Sequence, residues 1–155
     1  MTRILVFSDT HGDIKMCEEI INRIPCELIL HAGDINRDAR ELIQKFPDKE
    51  IHFVQGNNDF YDSVPYDKII EAGGKRIFLT HGHNYKVKYE TDYRTLAKQA
   101  KDNNCDIAVF GHTHSEFAGE TDGIKLLNPG SVRFGETYGV IEIDGEKTGI
   151  CIING

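Results

Sequence analysis

Histidines and carboxylates in this 155-residue chain occur in closely spaced pairs. The pairs are Asp9 with His11, His81 with His83, and His112 with His114. In an extended segment, side chains two positions apart point to the same side, so each pair could hold a metal ion from one short loop. Imidazole and carboxylate ligands without thiolate suit borderline-to-hard divalent cations, and we expect manganese first, with nickel, iron or zinc as alternatives.

Two further polar motifs, Gly33-Asp34 and Gly56-Asn57-Asn58-Asp59, add more oxygen ligands. Taken singly, each motif is more typical of a turn or a solvated loop, because Gly, Asn and Asp tolerate left-handed backbone. The complete set offers more ligands than one ion needs. Five such motifs in one chain therefore favour a site for more than one cation.

Each of the five motifs follows a short apolar run that is rich in β-branched residues. The runs are Ile4–Phe7, Leu28–Leu30, Ile51–Val54, Ile77–Leu79 and Ile107–Phe110. Such runs are typical of buried parallel strands. Because ligands bind at the carboxyl ends of parallel strands, we expect the five motifs to meet at one edge of a sheet.

Apolar residues recur at helical spacing between Ile14 and Ile24 and between Ala39 and Phe46, which predicts two βαβ units. Glu90–Asn104 is predicted to be another helix, and Gly73-Gly74 the turn of a hairpin. The tail from residue 117 onward should form antiparallel strands in a second sheet.

The length fits one domain spanning residues 1–155, and the alternation of strands and helices predicts the α/β class. The net charge is −7. That charge opposes extended nucleic-acid or anionic membrane binding, so we expect a small substrate. No apolar run approaches the ~20 residues that cross a bilayer, and no signal peptide is evident, which predicts a cytoplasmic protein. The widely spaced cysteines, Cys17, Cys26, Cys105 and Cys151, are predicted to be buried reduced thiols.

The ordered motifs, followed by Asn128-Pro129-Gly130-Ser131, resemble those of the calcineurin-like metallophosphoesterases, and most closely their small single-domain branch of YfcE- and YsnB-like phosphodiesterases. The resemblance spans nearly the whole chain. It implies a four-layer α-β-β-α sandwich of two mixed sheets flanked by helices. It also implies two divalent metal ions and hydrolysis of a phosphoester by a hydroxide that bridges them.

The same resemblance implies which side chains bind each ion. The first metal would be held by Asp9, His11, Asp34 and His114. The second would be held by Asp34, Asn57, His81 and His112. Asp34 would then bridge the two cations.

The residue after the metal-binding asparagine departs from a common pattern of the superfamily. Many members carry a histidine there, which is thought to protonate the leaving oxygen, whereas this chain carries Asn58. An amide can hydrogen-bond a phosphate but has no proton to give near pH 7. Asn58 and, separately, His83 are our candidates for catalytic residues that contact substrate. The lack of an acid at position 58 favours a phosphodiester with an acidic leaving group as the substrate.

Several alternatives stay open. The enzyme could instead be a phosphomonoesterase or a nuclease, and a relative of this fold that lost its ligands works as an inert scaffold in a protein-sorting coat. His31 could orient a ligand or simply be a hydrogen-bonded strand-end residue, and His83 could be purely structural. His52 is predicted to be an inert strand residue, and residues 85–93 form either a lid or a surface loop. A homo-oligomer paired through an edge strand is also compatible with the pattern.

Overall fold

A computed structural model of the chain describes residues 1–59 and 63–155 and contains two five-stranded sheets. The strands are β1 (Thr2–Phe7), β2 (Leu28–His31), β3 (Glu50–Phe53), β4 (Asp67–Ala72), β5 (Lys75–Thr80), β6 (Ile107–Val109), β7 (Phe117–Thr121), β8 (Ile124–Asn128), β9 (Thr137–Asp144) and β10 (Lys147–Asn154). The helices are α1 (Lys15–Arg23), α2 (Asn36–Lys45), α3 (Arg94–Asp102) and α4 (Val132–Gly135).

The first sheet has the order β10-β9-β1-β2-β3, and the second has the order β4-β5-β6-β8-β7. β1, β2 and β3 run parallel, while β9 and β10 extend the first sheet in antiparallel fashion. In the second sheet β5, β6 and β8 run parallel, and β4 and β7 are antiparallel edge strands. Both sheets are mixed, as the family resemblance implies.

Alternation along the strands explains why the sheets stack face to face. In β1, Ile4 and Val6 pack into a cluster shared with Ile77 and Val109 of the other sheet. The intervening Leu5 packs on the opposite face, against α1 and Val140. Because a buried strand presents apolar side chains on both faces, it needs a sheet on one side and a helix on the other.

The second sheet is covered in the same way by α3. Phe78 and Ala108 point outward and pack against Leu96, Ala97 and Ala100 of that helix. The layers are therefore helix, sheet, sheet and helix, which confirms the expected four-layer sandwich. Within the described ranges, no helix is both long and apolar enough to cross a membrane.

Two expectations drawn from the strand pattern need correction. The five motif-bearing strands do not share one sheet, because β5 and β6 lie in the second sheet. The tail is also divided, since β7 and β8 join the second sheet while β9 and β10 pair with β1. Short apolar strands carry no information in their own sequence about which sheet they enter.

The helix predicted over Glu90–Asn104 is shorter, and α3 begins only at Arg94. Tyr93 has a left-handed φ of 54°, which no helix interior adopts. The Glu90 carboxylate instead accepts hydrogen bonds from the Thr95 amide (2.9 Å) and hydroxyl (2.6 Å) at the start of the helix. Glu90, which lies outside the helix, thus provides a hydrogen-bond acceptor for a backbone N–H of the first helical turn.

The four cysteines are free thiols, but they do not share one environment. Cys17 and Cys105 are buried, as expected, and Cys26 is half-buried. Cys151 lies exposed on β10, which corrects the expectation that all four are buried. Side chains on an edge strand such as β10 alternate between the core and water, so a strand-like pattern does not assure burial.

Candidate metal centre

The five polar motifs come together where the carboxyl ends of strands from both sheets meet. Asp9 and His11 follow β1, Asp34 follows β2 and Asn57 follows β3 in the first sheet. His81 follows β5, and His112 and His114 follow β6 in the second sheet. The stacked sheets bring these ends together, so the convergence expected from one sheet is achieved by two.

Asp9, His11 and His114 form the first ligand cluster. Their candidate ligand atoms all lie within 4.8 Å of one another. Asp9 Oδ1 lies 3.2 Å from His114 Nε2 and 3.8 Å from His11 Nε2. These three side chains are the non-bridging ligands predicted for the first metal.

Asp9, Asp34 and His81 form a second cluster with the same spread of ligand atoms. Asp34 Oδ2 lies 3.4 Å from His81 Nε2 and 4.0 Å from His11 Nε2. Asp34 therefore stands between ligands predicted for different metals, where a bridging carboxylate is needed. Asp9 also belongs to both clusters, which the sequence pattern did not indicate.

The amide oxygen of Asn57 joins the second set of ligands. It lies 2.9 Å from His81 Nε2 and 3.1 Å from His112 Nδ1. Asn57, His81, His112 and Asp34 thus lie together as predicted for the second metal. The assignment of each side chain to one particular ion stays a prediction.

Two buried ligand atoms lack a hydrogen-bond partner within residues 1–59 and 63–155. They are Asp9 Oδ1 and His11 Nε2, both in the first cluster. Leaving a buried carboxylate oxygen unsatisfied is costly, and such exceptions in a native fold need an explanation such as an ion. A divalent cation coordinated by these atoms would satisfy both of them, so the residues present fit the metal that the motifs imply.

Five of the seven predicted ligands adopt left-handed backbone conformations. They are Asp9, His11, Asp34, His112 and His114, with φ between 43° and 71°. For residues with a Cβ this region is sparsely populated and costs about 1–3 kcal/mol each when it is strained. Strained backbone of this kind clusters at functional sites, where the surrounding structure enforces it.

Three glycines of the motifs leave room for the ligand side chains. A Cβ on Gly56 would lie 2.0 Å from Asp34 Oδ1, and one on Gly111 would lie 2.0 Å from Ser8 Oγ and 2.6 Å from Asp9 Oδ2. A Cβ on Gly33 would lie 2.9 Å from His81 Nδ1. These glycines therefore let the backbone approach the proposed ligand side chains closely.

The protonation states of two ligands suit cation binding. Burial by itself raises the pKa of Asp34, but hydrogen bonds from His81 and Asn58, with the charge of His81, hold that pKa well below its usual range. Burial, together with the nearby charges of His81 and Lys88, lowers the pKa of His112 to about 4. Near neutral pH the carboxyl group of Asp34 is therefore ionised and the His112 imidazole is neutral.

Hydrogen bonds behind the ligands fix their orientation. Asp9 Oδ2 accepts from the Ser8 hydroxyl (2.6 Å) and the His112 amide (3.2 Å), which leaves Oδ1 facing the cluster. His81 Nδ1 lies 2.7 Å from the carbonyl oxygen of Ala32, so Nε2 is the nitrogen turned towards Asn57. Partners of this kind set the tautomer and aim of metal ligands.

Asp59 is the buried residue that joins the loops after β2 and β3. Its carboxylate accepts from the amides of Asp34 (3.0 Å), Asn36 (2.8 Å) and Gly56 (2.8 Å). The sequence motif included Asp59 among the converging residues but indicated no role for it. The sequence feature that could have drawn attention to Asp59 is its position within the Gly-Asn-x-Asp motif.

Asn128 and Ser131 hold the site from the other side. The Asn128 amide donates to the Gly111 carbonyl (3.1 Å) and to Thr113 Oγ1 (2.9 Å). The Ser131 hydroxyl donates to the Asp9 carbonyl at 2.8 Å. The segment from Asn128 to Ser131 therefore braces the loops that carry Asp9 and His112.

Asn58 contacts Asp34 through both its backbone and its side chain. Its amide N lies 3.0 Å from Asp34 Oδ1, and its Nδ2 lies 2.8 Å from Oδ2. The residue is exposed, yet it donates both hydrogen bonds to a predicted ligand. Orienting Asp34 is thus a role that the sequence did not suggest for Asn58.

His83 is half-buried beside the second cluster. Its ring centroid lies 5.6 Å from that of His81 and 6.1 Å from that of His112. Its Nδ1 is buried and has no hydrogen-bond partner within the part of the chain that is described. This placement is compatible with contact to a bound phosphoester.

His31 is fully buried behind the first sheet's ligands. Its Nε2 lies 3.0 Å from Thr10 Oγ1, and its Nδ1 accepts from the Gly33 amide at 3.1 Å. Thr10 in turn donates to the buried carboxylate of Asp38 at 2.6 Å. His31 therefore braces the Asp34 loop. His52 Nε2, by contrast, lies 3.1 Å from the exposed carboxylate of Glu50.

The sequence model of the calcineurin-like phosphoesterase superfamily domain matches residues 2–146. A probable metallophosphoesterase of Mycoplasma genitalium is 33% identical over 135 residues, which cover 86% of this chain and 78% of that protein. YsnB of Bacillus subtilis, a probable metallophosphoesterase, is 29% identical over 154 residues, with coverages of 92% and 85%. A phosphodiesterase of Methanocaldococcus jannaschii is 27% identical over 147 residues, with coverages of 83% and 82%.

A solved structure gives the same result for the fold. The crystal structure of a Streptococcus pneumoniae protein, named as a predicted phosphoesterase, superposes with a TM-score of 0.83 at 29% identity. The alignment covers 99% of this chain and 89% of that chain. The two sheets and their helices are therefore shared along almost the whole length.

Proposed function

Because the chain belongs to the calcineurin-like phosphoesterase superfamily, as its motifs predict, we propose that it hydrolyses phosphodiester bonds with the help of two divalent cations. The observation that carries the proposal is the convergence of seven potential ligands from five loops around the unsatisfied atoms Asp9 Oδ1 and His11 Nε2. The cations would be manganese, or alternatively nickel, iron or zinc.

The residues that would hold the first cation are Asp9, His11, Asp34 and His114. Those for the second are Asp34, Asn57, His81 and His112. When bound, two such cations lower the pKa of water and offset negative charge that develops on a phosphoryl group. The protein's own contribution is to keep Asp34 ionised, His112 neutral and each ligand atom aimed inward.

The substrate class follows from what Asn58 does. Its side chain holds Asp34 and has no proton to give near neutral pH, so it cannot protonate a leaving oxygen. A phosphodiester with an acidic leaving group needs the least help of this kind. The M. jannaschii relative is itself named a phosphodiesterase, which also supports a diester substrate.

Turnover of two chromogenic esters tests the proposal. With manganese present, bis(p-nitrophenyl) phosphate should be hydrolysed with a higher kcat/KM than p-nitrophenyl phosphate, although both release the same phenolate. A clear preference for the monoester would overturn the diester proposal and support a phosphatase.

Asp34→Asn tests the need for the bridging carboxylate. We expect loss of bound manganese and a fall in kcat/KM of more than about 100-fold, because even a supporting residue of a metal site costs 10–100-fold. Asp48→Asn, which makes the same change at an exposed position, is the matched control and should behave like wild type. If Asp34→Asn kept both its metal content and its activity, the enzyme proposal would fail in favour of an inert scaffold.

A further inference from the structure

An exposed aromatic ring stands beside the histidines proposed to hold the first cation. Phe134 is 64% exposed, and its ring centroid lies 5.3 Å from that of His114 at an interplanar angle of 25°. The same ring lies 5.4 Å from the ring of His11. Phe134 therefore leans on two ligands while most of its surface stays open to a bound molecule.

The turn that carries Phe134 is fixed to the Asp9 loop. Ser131 Oγ donates to the carbonyl of Asp9 (2.8 Å) and accepts from the Phe134 amide (3.0 Å). The Val132 amide also donates to the carbonyl of Ser8 at 3.1 Å. These hydrogen bonds hold the ring at a set position relative to the ligands, unlike a side chain on an unattached surface loop.

A second exposed aromatic ring stands beside His83. Tyr66 is 46% exposed, and its ring lies 5.3 Å from that of His83 at 69°. Its segment is tied to the loop after β3, because the Gln55 amide donates to the Pro65 carbonyl at 2.9 Å. Phe134 therefore lies beside histidines proposed for the first cation, and Tyr66 lies beside His83, which neighbours the histidines proposed for the second. A phosphodiester has two ester arms.

Isolated apolar residues on a protein surface need no explanation. A planar ring that is open on one side, fixed in place and in contact with ligands is different, because it offers a stacking surface beside the reacting phosphate. Stacking of nucleobases on aromatic side chains tolerates any base, since every base has a π-face. The net charge of −7 opposes a long polyanion, which leaves a small nucleotide-like molecule.

We propose that Phe134 is a specificity-determining residue that stacks on a planar aromatic group, such as a nucleobase, on one ester arm of the substrate. The inference deepens the proposed function and rests on it for the identity of the reacting group. Tyr66 is the alternative stacking residue, and the experiment separates the two.

Calorimetry with manganese-loaded protein tests the proposal without requiring turnover. The probes are adenosine 5′-monophosphate and ribose 5-phosphate, which share the sugar phosphate and differ in the base. Wild type should bind the nucleotide about tenfold more tightly. Phe134→Ala should weaken nucleotide binding about tenfold and leave the ribose 5-phosphate affinity unchanged.

Further variants separate stacking from support of the histidines. Phe134→Tyr should keep the tenfold discrimination, whereas Phe134→Leu, which is apolar but not planar, should lose it. Tyr89→Ala removes a ring that is 88% exposed and serves as the control. Its affinities for both probes should equal those of wild type.

If Phe134→Ala lowered the affinity for both probes equally and lost bound manganese, the ring would only position His114 and the proposal would be overturned. Loss of discrimination in Tyr66→Ala but not in Phe134→Ala would also overturn the proposal, as would equal binding of the two probes by wild type. Failure of wild type to hydrolyse a diester would instead contradict the proposed function and leave the measured discrimination intact.

Discussion

Single residues in this site are constrained by how closely backbone approaches the ligands. Gly56 lies so near the Asp34 carboxylate that a methyl group could not be added without moving one of them. A methyl group on Gly111 would likewise clash with the side chains of Ser8 and Asp9. The ligand positions thus depend on residues that bind nothing themselves.

Gly56→Ala should therefore destroy the site. Its Cβ would meet Asp34 Oδ1 at 2.0 Å, so Asp34 must move from its place between His11 and His81. We expect loss of bound manganese, loss of hydrolysis, and a decrease of about 1–3 kcal/mol in the free energy of unfolding from overpacking. Metal analysis and chemical denaturation measure these effects.

The matched control is Gly149→Ala on β10, where a Cβ would meet nothing within 4 Å. It should bind manganese like wild type and change stability by no more than about 0.5 kcal/mol. Full metal occupancy in Gly56→Ala would contradict the close approach described for Asp34.

The converging motifs could be recognised in the sequence because their residue types are chemically distinctive and they recur after strands, and the family resemblance then implied which seven of their residues are ligands. The bracing roles of Asp59, Asp38 and Ser131 could not be predicted, although two of these residues lie within the motifs. These roles depend on hydrogen bonds to backbone groups 23 or more positions away in the chain. An isolated Asp or Ser looks the same in a sequence whether it caps a turn or braces a metal ligand.

Among the elements, three are joined by the buried contacts of His31, Thr10 and Asp38. His31 ends β2, Thr10 follows β1 and Asp38 lies in the first turn of α2. Burial lowers the pKa of His31, although the charges of Asp38 and Asp9 partly oppose this effect. Near neutral pH the ring is therefore uncharged in the folded protein.

This buried neutral histidine should make stability depend on pH. In the unfolded chain the pKa is near 6.5, so below that pH the unfolded state binds more protons than the folded state. Wild type should lose up to about 1.4 kcal/mol per pH unit through His31 as the pH falls below 6.5. Denaturation of metal-free protein between pH 5 and 8 measures this slope.

In His31→Gln this part of the slope should be absent, even if the variant is less stable at every pH. His52→Gln, which changes a half-exposed histidine on the neighbouring strand β3, is the control. Parallel pH profiles for wild type and His31→Gln would contradict the expectation.

Element types were mostly predictable from apolar periodicity, while their ends and partners were not. The start of α3 depends on Tyr93 entering the left-handed region and on Glu90 bonding to Thr95. Neither the Tyr93 conformation nor the Glu90–Thr95 hydrogen bond alters the apolar periodicity of the sequence. The division of β5 and β6 from β1 and β2 is likewise decided by packing of the two sheet faces, which only the complete chain determines.

For the whole molecule, the site connects two sheets whose stacked faces pack mainly through apolar side chains. Asp9 and Asp34 come from the first sheet, and His81 and His114 from the second. A metal complex with ligands from both sheets would form only in the folded state. Metal binding should therefore stabilise the entire fold and not merely the loops.

Removal of metal with a chelator should lower Tm. At a free manganese concentration of about 100 times Kd, each site adds about 2.7 kcal/mol, which corresponds to roughly 5–10 °C for a domain of this size. Calorimetric scans with manganese or with chelator measure the difference. The Tm of Asp34→Asn should change little when manganese is added. A wild-type Tm that does not change with manganese would contradict a metal site shared by the two sheets.

The left-handed backbone at five ligands has a consequence for how such a chain can change under selection. Glycine adopts that conformation without steric cost, so replacing His112 or His114 with glycine would relieve strain while removing a proposed metal ligand. Mutations that abolish the chemistry can therefore raise the stability of the metal-free fold. A lineage freed from catalysis would lose its ligands readily and keep a robust scaffold, whereas the reverse path would require several destabilising steps.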